Sequence, residues 1–309
     1  MDKAALIANP AASQFTGGSH RDVMAELSRR WEVTPLWPAS PAHARQMSAD
    51  AVAEGATLVI AMGGDGIVHH VAQGVIGTDA TMGIIPVGTT NVVARLLGVP
   101  FRPGKAVRIL TPPLTSVRIG VAEAKLSGDG FTTERSALFA AGFGLDAEVV
   151  IEAEKDPYRK YRFGSLHYAT TALRVGGGPF PRRRPNLRVT AGDRLAEATT
   201  VLVQFRPVYT YFGRFPLRLQ RDDPNPMTVL VMDRLRRRRI PRIIATALRG
   251  NGLDAIKGIQ TWSQVSHLEL TADPAVAAQA DGELLGRFDI ATVSWRPDAL
   301  SVAVQASPR

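Results

Sequence analysis

The 309-residue chain contains no cysteine, which excludes disulfides, thiolate metal sites and a cysteine nucleophile. Aromatic residues are few, at 6%, so stacking platforms for single-stranded nucleic acid are poorly supplied. No recognised nucleic-acid motif occurs either, and no nucleic-acid partner is expected. No stretch approaches the length of continuous apolar sequence that a membrane-spanning helix needs. The N-terminal MDKAALIANP has the character of a strand start rather than a signal peptide. The histidines (His20, His43, His69, His70, His167, His267) show no H-E-x-x-H spacing, and His69 and His70 are taken as structural. Neither G-x-x-x-x-G-K-[ST] nor G-x-G-x-x-G is present. What is present is 45% apolar residues without long low-complexity runs, enough for one or two globular domains with real cores. The net charge of +9 and pI near 10.3 point to an anionic partner such as polyphosphate, an anionic lipid surface or nucleic acid.

The chain is organised around residues 57–91, TLVIAMGGDGIVHHVAQGVIGTDATMGIIPVGTTN. Thr57–Met62 is short, apolar and rich in branched residues, the pattern of a buried parallel strand. It stops at Gly63-Gly64-Asp65-Gly66 and gives way to an amphipathic helix pattern at Ile67, Val71 and Val75. A second apolar strand, Met82–Val87, stops at Gly88-Thr89-Thr90-Asn91 before another helix pattern. One strand–helix–strand unit therefore carries a glycine-rich turn at the C-terminal end of each strand, the edge where open α/β sheets bind ligands. Glycines there let a ligand approach the backbone, and free N–H groups at helix starts favour an anion. A lone GGDG is equally a tight turn with aspartate as cap. Two such turns in one unit point to a nucleotide site.

These residues resemble a known family, the diacylglycerol kinase-like and sphingosine kinase-like lipid kinases, related more distantly to NAD kinases and phosphofructokinases. Gly63-Gly64-Asp65-Gly66-Ile67 is similar to the family's GGDGT, and Gly88–Arg95 to its GTxNxxAR. Leu6–Pro10 is similar to an N-terminal strand ending in Asn-Pro, Asp281-Gly282-Glu283 to a late DGE, and Gly142–Ala147 to a stretch of the second domain. The likeness runs collinearly from residue 4 to about residue 304. Three departures stand out: Ile67 for threonine, Val92 for aspartate and His70 for glutamate.

The resemblance implies an α/β N-terminal domain with a parallel sheet, NAD kinase/phosphofructokinase-like, and a β-rich sandwich C-terminal domain. The expected boundaries are 1–113, with a C-terminal strand at 297–309 returning to it, and 114–296. Pattern agrees with that division. Thr111-Pro112-Pro113 is a hinge, and after it come short alternating runs separated by turn residues. Expected local elements include a first helix over 19–30 capped by Ser19 and a helix from Ser40-Pro41 with Ser40 as cap.

The resemblance also implies ATP and Mg²⁺ as cofactors and a lipid as substrate. Asn9, Ser40, Gly63, Gly64, Asp65, Gly66, Gly88, Thr89 and Asn91 are the candidate nucleotide-binding residues. Backbone N–H groups of Gly63–Gly66 and Gly88–Thr89 are expected to hold the triphosphate. Glu283 is the first candidate for catalytic proton acceptor and Asp65 the second, since phosphoryl transfer asks for positioning, charge neutralisation and a base. The acidic loop Arg221–Pro226 is similar to a metal-binding turn of the family, which makes Asp223 a candidate metal ligand although Pro224 replaces the expected glycine. The run Leu235–Arg242 precedes an apolar-faced helix, so residues Arg234–Arg249 are a candidate contact with an anionic membrane surface. A cation run is more often a solvated face. The resulting expectation is a cytoplasmic enzyme, peripheral to the inner face of the membrane, with a sequence compatible with an oligomer. The rival readings are an NAD kinase-like enzyme with a soluble acceptor and a non-catalytic binder of lipid or nucleotide.

Overall fold

The computed structural model describes residues 1–128, 130–156, 165–178, 180, 183–212, 215–220, 226–249, 253 and 256–306. The chain divides into two compact units, one formed by Met1–Gly120 with Pro297–Arg309 and the other by Val121–Arg296.

The first unit begins with β1 (Lys3–Ala8), α1 (Gly17–Leu27), β2 (Glu32–Leu36), α2 (Pro41–Ala53) and β3 (Ala56–Gly63). It continues with α3 (Asp65–Val75), β4 (Thr81–Pro86), α4 (Val92–Leu96), α5 (Pro103–Ala106) and a 3-10 turn at Val107–Leu110. The strands are parallel in the order β2–β1–β3–β4. Residues Ser301 and Val302, near the C-terminus, pair parallel to Thr81 and Met82 of β4. Leu6, Ile7, Leu58, Ile60, Met62, Ile84 and Ile85 are fully buried. That is the consequence of parallel strands covered on both faces, and it explains why their sequences are continuous apolar runs rather than alternating ones.

The helix starts follow capping chemistry. Ser40 accepts the His43 N–H at 3.1 Å and caps α2, with Pro41 in the first turn. The first helix differs from expectation: it starts at Gly17 with Thr16 as cap, not at Ser19. Thr16 Oγ1 accepts the Ser19 N–H at 3.0 Å, and Ser19 Oγ accepts the Thr16 N–H at 3.3 Å. A reciprocal box satisfies two orphan donors where a Ser19 cap alone would satisfy one.

The second unit is rich in antiparallel strands. β5 (Ser116–Gly128), which starts in the first unit, pairs with β6 (Phe131–Ala137), and β7 (Ala140–Gly144) leads into α6 (Leu145–Glu154) and α7 (Ser165–Gly177). β8 (Leu187–Ala191), β9 (Arg194–Ala198), β10 (Thr200–Gln204), β11 (Thr210–Phe212), β12 (Phe215–Leu217) and β13 (Met227–Met232) follow. After α8 (Ile240–Arg249) come β14 (Ile259–Val265), β15 (His267–Ala280) and the long β16 (Glu283–Ala303). The strand order is β14–β13–β10–β7–β15–β16, with β8 also on β15. Phe143 and Phe288 meet edge to face at 5.5 Å within its core. The fold class is the one expected, a parallel α/β unit and a strand-rich antiparallel one.

Candidate active site

The two glycine turns touch. Gly63 stands opposite Pro86 in the β3–β4 register, and the Val87 N–H donates to Gly63 O at 3.0 Å. A Cβ placed on Gly88 would run into the Gly64 Cα and stand 3.1 Å from the Gly64 N. A Cβ on Gly63 would run into Ile67 Cγ2. Ile67, where the family has threonine, is buried and packs on Gly63. The glycines are thus required by backbone approach and by packing, and what remains at this edge is bare main chain.

Asp65 ties one turn to the other. Its Oδ1 accepts the Val92 N–H at 2.6 Å, so the carboxylate of the first turn serves the short helix after the second. Asn91 has φ 50°, in the left-handed region that asparagine tolerates. Its Oδ1 accepts the Gly88 N–H at 3.1 Å and its Nδ2 donates to Gly88 O at 2.8 Å. The second turn is therefore closed on itself, and the Gly88 N–H expected to face phosphate is directed to Asn91 instead. The start of α3 is different: Gly64 is its cap and offers no side chain, so its first N–H groups receive no side-chain cap. That end, helped by the helix dipole, is the anion-favouring part of the edge.

Asn9 lies beside it. Its N–H donates to Met62 O at 2.9 Å, and its Oδ1 accepts the Ala11 N–H at 2.9 Å. Sequence pattern passed over Ser13 and Gln14, which belong to a small polar loop. Ser13 Oγ and Thr89 Oγ1 are 3.0 Å apart, and the Gln14 N–H donates to Val87 O at 2.9 Å, so this loop is fastened to the second turn. Ser40 is engaged as a helix cap.

In the second unit, Asp281 and Gly282 (φ 53° and 85°) make the two-residue hairpin turn between β15 and β16, and Glu283 opens β16 opposite Ala280. The Asp281 carboxylate accepts N–H groups from Leu138 at 2.7 Å, Phe139 at 3.0 Å and Ala140 at 3.2 Å. Burial pushes the Arg206 guanidinium down to about 10, partly offset by the negative charge of Asp281. A second network supports the turn from β15: Gln279 Oε1 accepts the Gly282 N–H at 2.7 Å, while Gln279 Nε2 donates to Asp146 Oδ2. The Tyr209 hydroxyl donates to that same Oδ2 at 2.6 Å. Gly142 is glycine because a Cβ there would collide with Asp146 Oδ2. Nothing in the sequence pattern signalled Gln279 or Tyr209.

Burial holds the Asp146 carboxyl above its ordinary value of 3.8, with the two donated hydrogen bonds opposing the shift. A carboxyl whose pKa is higher folded than unfolded stabilises fully below the unfolded value, and that contribution is lost as pH rises through the folded value. Both bonds reach one oxygen, so Asp146→Asn keeps an acceptor for each donor and removes the desolvated charge. The variant is expected to melt higher than wild type at pH 7, with the gain disappearing as pH approaches 3.8. A Tm difference that does not change with pH would contradict this.

Asp223 lies outside the described residues. Among the described residues no group of three or more histidine, aspartate or glutamate side chains is placed to hold a metal ion. The basic segment is only partly a free surface. Arg237 Nη2 donates to Gly178 O at 2.6 Å, Arg234 Nε to Arg183 O at 3.3 Å and Arg239 Nη1 to Lys257 O. Arg238, Arg242 and Arg249 are exposed, and Ile244 on α8 is 37% exposed.

A parallel α/β unit with glycine turns on adjacent strand ends, followed by an antiparallel strand-rich unit, is the architecture of diacylglycerol kinase- and NAD kinase-type proteins. A diacylglycerol kinase of Bacillus anthracis str. Sterne superposes with TM-score 0.67 at 17% identity, over 98% of this chain and 97% of that one. Yeast NADH kinase superposes with TM-score 0.52 at 10% identity, over 99% of this chain and 84% of that one. In sequence, residues 3–122 match the diacylglycerol kinase catalytic domain. A diacylglycerol kinase of Mycobacterium tuberculosis (strain ATCC 25618 / H37Rv) is 27% identical over 262 residues, 84% of this chain and 80% of that protein. A "Probable lipid kinase YegS-like" of Pseudomonas putida is 32% identical over 149 residues, 47% of this chain and 50% of that protein. The chain is thus similar to diacylglycerol kinase-like lipid kinases, with the catalytic-domain match confined to residues 3–122.

Proposed function

We propose that the protein transfers the γ-phosphate of ATP to a hydroxyl of a lipid such as diacylglycerol or a long-chain base. The observation that carries this is the contact of Gly64 with Gly88, which leaves the uncapped start of α3 and bare main chain at one strand edge. The N–H groups at Asp65 and Gly66 receive the phosphate chain, with Asn9 and Thr89 flanking it. Asp65 is committed at Oδ1 to Val92, so its part is to lock the two turns together. Glu283, on the hairpin of the second unit, accepts the proton of the lipid hydroxyl. That oxygen attacks the γ-phosphorus, the bond to the β,γ-bridging oxygen breaks, and ADP leaves. Mg²⁺ bound to the phosphates supplies charge neutralisation. Such an ion keeps several waters and takes at most one or two carboxylates.

Among the described residues no helix is long and apolar enough to cross a membrane. We assign the lipid contact to α8 and the exposed Arg238, Arg242 and Arg249, each of which contributes about 1 kcal/mol near an anionic surface. The enzyme then works peripherally, at the inner face of a membrane.

The test is mass spectrometry of a total lipid extract incubated with the protein and Mg·ATP, which should show lipids gaining one phosphate. Acceptor in anionic vesicles should turn over faster than acceptor in zwitterionic ones. Arg238→Glu, Arg242→Glu and Arg249→Glu together should remove that advantage. Phosphorylation of a soluble nucleotide instead of lipid would move the reaction to the NAD kinase type. Binding of ATP without turnover on any lipid would refute catalysis.

A further inference from the structure

We propose that the indole of Trp37, backed by Phe15 and His20, is the stacking platform for the purine base of the bound nucleotide. This rests on the nucleotide-binding reading above and extends it to which nucleotide the site selects. The register fixes the position. Leu36, Ile7, Ala61 and Ile84 stand in one row across β2, β1, β3 and β4. Trp37 follows Leu36 directly, so it leaves the sheet one residue before the level of Gly63 and Pro86, on the same rim as both glycine turns. Two strand spacings separate β2 from β3, about 10 Å. That is the reach from a purine ring across its ribose to the phosphate chain. The strand between them, β1, ends at Ala8, and Asn9 follows it in the place a ribose would pass.

Phe15 and His20 are also tied to the phosphate end. Phe15 follows Gln14, whose N–H is bonded to Val87 O at 2.9 Å immediately before Gly88. Their rings are 6.0 Å apart, as expected for residues flanking the capping box of α1, where such a pair staples the helix start. Stapling accounts for two rings and leaves the third unexplained. Trp37 lies 4.5 Å from the His20 ring and 6.0 Å, edge-on, from Phe15. It remains 44% exposed, whereas Trp31 and Trp262 are 5% and 7% exposed. Pro38 restricts the backbone of Trp37 to extended conformations and so limits its freedom before any ligand arrives. Burial lowers the pKa of the His20 imidazole, which disfavours a charge on the ring that packs against the indole. In a chain with only 6% aromatics, three rings gathered at this rim form a prepaid apolar surface beside a polar phosphate edge.

The test is calorimetric binding of ATP and of inorganic tripolyphosphate to the full chain, its Trp37→Leu variant and its Trp37→Phe variant. Wild type should bind ATP more tightly than tripolyphosphate. Trp37→Leu should weaken ATP roughly tenfold, within the range that base–aromatic stacking supplies, and leave tripolyphosphate unchanged. Trp37→Phe should retain most of the ATP affinity. Indole fluorescence supplies a second measurement independent of the leucine variant's folding: ATP, but not tripolyphosphate, should quench a component of the wild-type signal that Trp37→Phe lacks. Unchanged ATP affinity in Trp37→Leu, or an equal loss for both ligands, overturns the platform and leaves the phosphate site standing. Failure of wild type to bind either ligand overturns the nucleotide reading itself and the platform with it.

Discussion

Glu283→Gln is expected to lower kcat on the lipid acceptor by roughly 100- to 10,000-fold, the range that loss of a general base produces, while nucleotide affinity stays as in wild type. Glutamine has the size of glutamate and keeps a hydrogen-bonding carbonyl, but it cannot take a proton at neutral pH. The half-buried Glu283 opens β16 from a turn held on both sides, by Asp281 through three N–H groups and by Gln279 through the Gly282 N–H. Position and chemistry can therefore be separated. Asp281→Ala strips the acceptor from Leu138, Phe139 and Ala140, and its first effect should be a lower Tm. Glu283→Gln should act on kcat with KM for ATP unchanged. Full activity in Glu283→Gln would remove Glu283 from the reaction and return attention to Asp65.

Gly88→Ala is expected to disable the nucleotide site. The added methyl would collide with the Gly64 Cα and lie 2.8 Å from Asn91 Oδ1 and 3.1 Å from Gly64 N. Two of these obstacles are backbone, which cannot rotate aside, so the turns must part. Overpacking of this kind costs about 1–3 kcal/mol, a fall in Tm of several degrees. ATP affinity should fall at least about tenfold, since displacing a positioning group by an ångström is costly out of proportion to its size. Gly104→Ala is the control: nothing lies within 4 Å of the added Cβ, and alanine is favoured over glycine in a helix by about 1 kcal/mol. It should bind ATP as wild type does. Equal behaviour of the two variants would show that the contact between the turns is dispensable.

The departures from the family pattern acquire definite roles. Ile67 is a packing residue on Gly63, not a lost phosphate ligand in open space. Val92 lacks the family's carboxylate, and its N–H is the donor that occupies Asp65. The basic run is divided between tethering and exposure, with Arg234, Arg237 and Arg239 fastened to carbonyls of Arg183, Gly178 and Lys257.

The sequence by itself determined the parallel character of the first strands, because burial on both faces demands unbroken apolar runs such as Leu58–Met62. It determined the positions of the glycine turns and of the DG hairpin, because such bends need particular residues at particular places. It also determined Ser40 as a cap, an interaction spanning three residues. Only the tertiary structure decided that Gly64 meets Gly88, that Asp65 serves Val92, that Ser13 reaches Thr89 and that Tyr209 donates to Asp146. Each of these joins segments distant along the chain, and their meeting depends on which strands lie side by side. Local conformational preference carries no record of that adjacency; the packing of the sheet creates it.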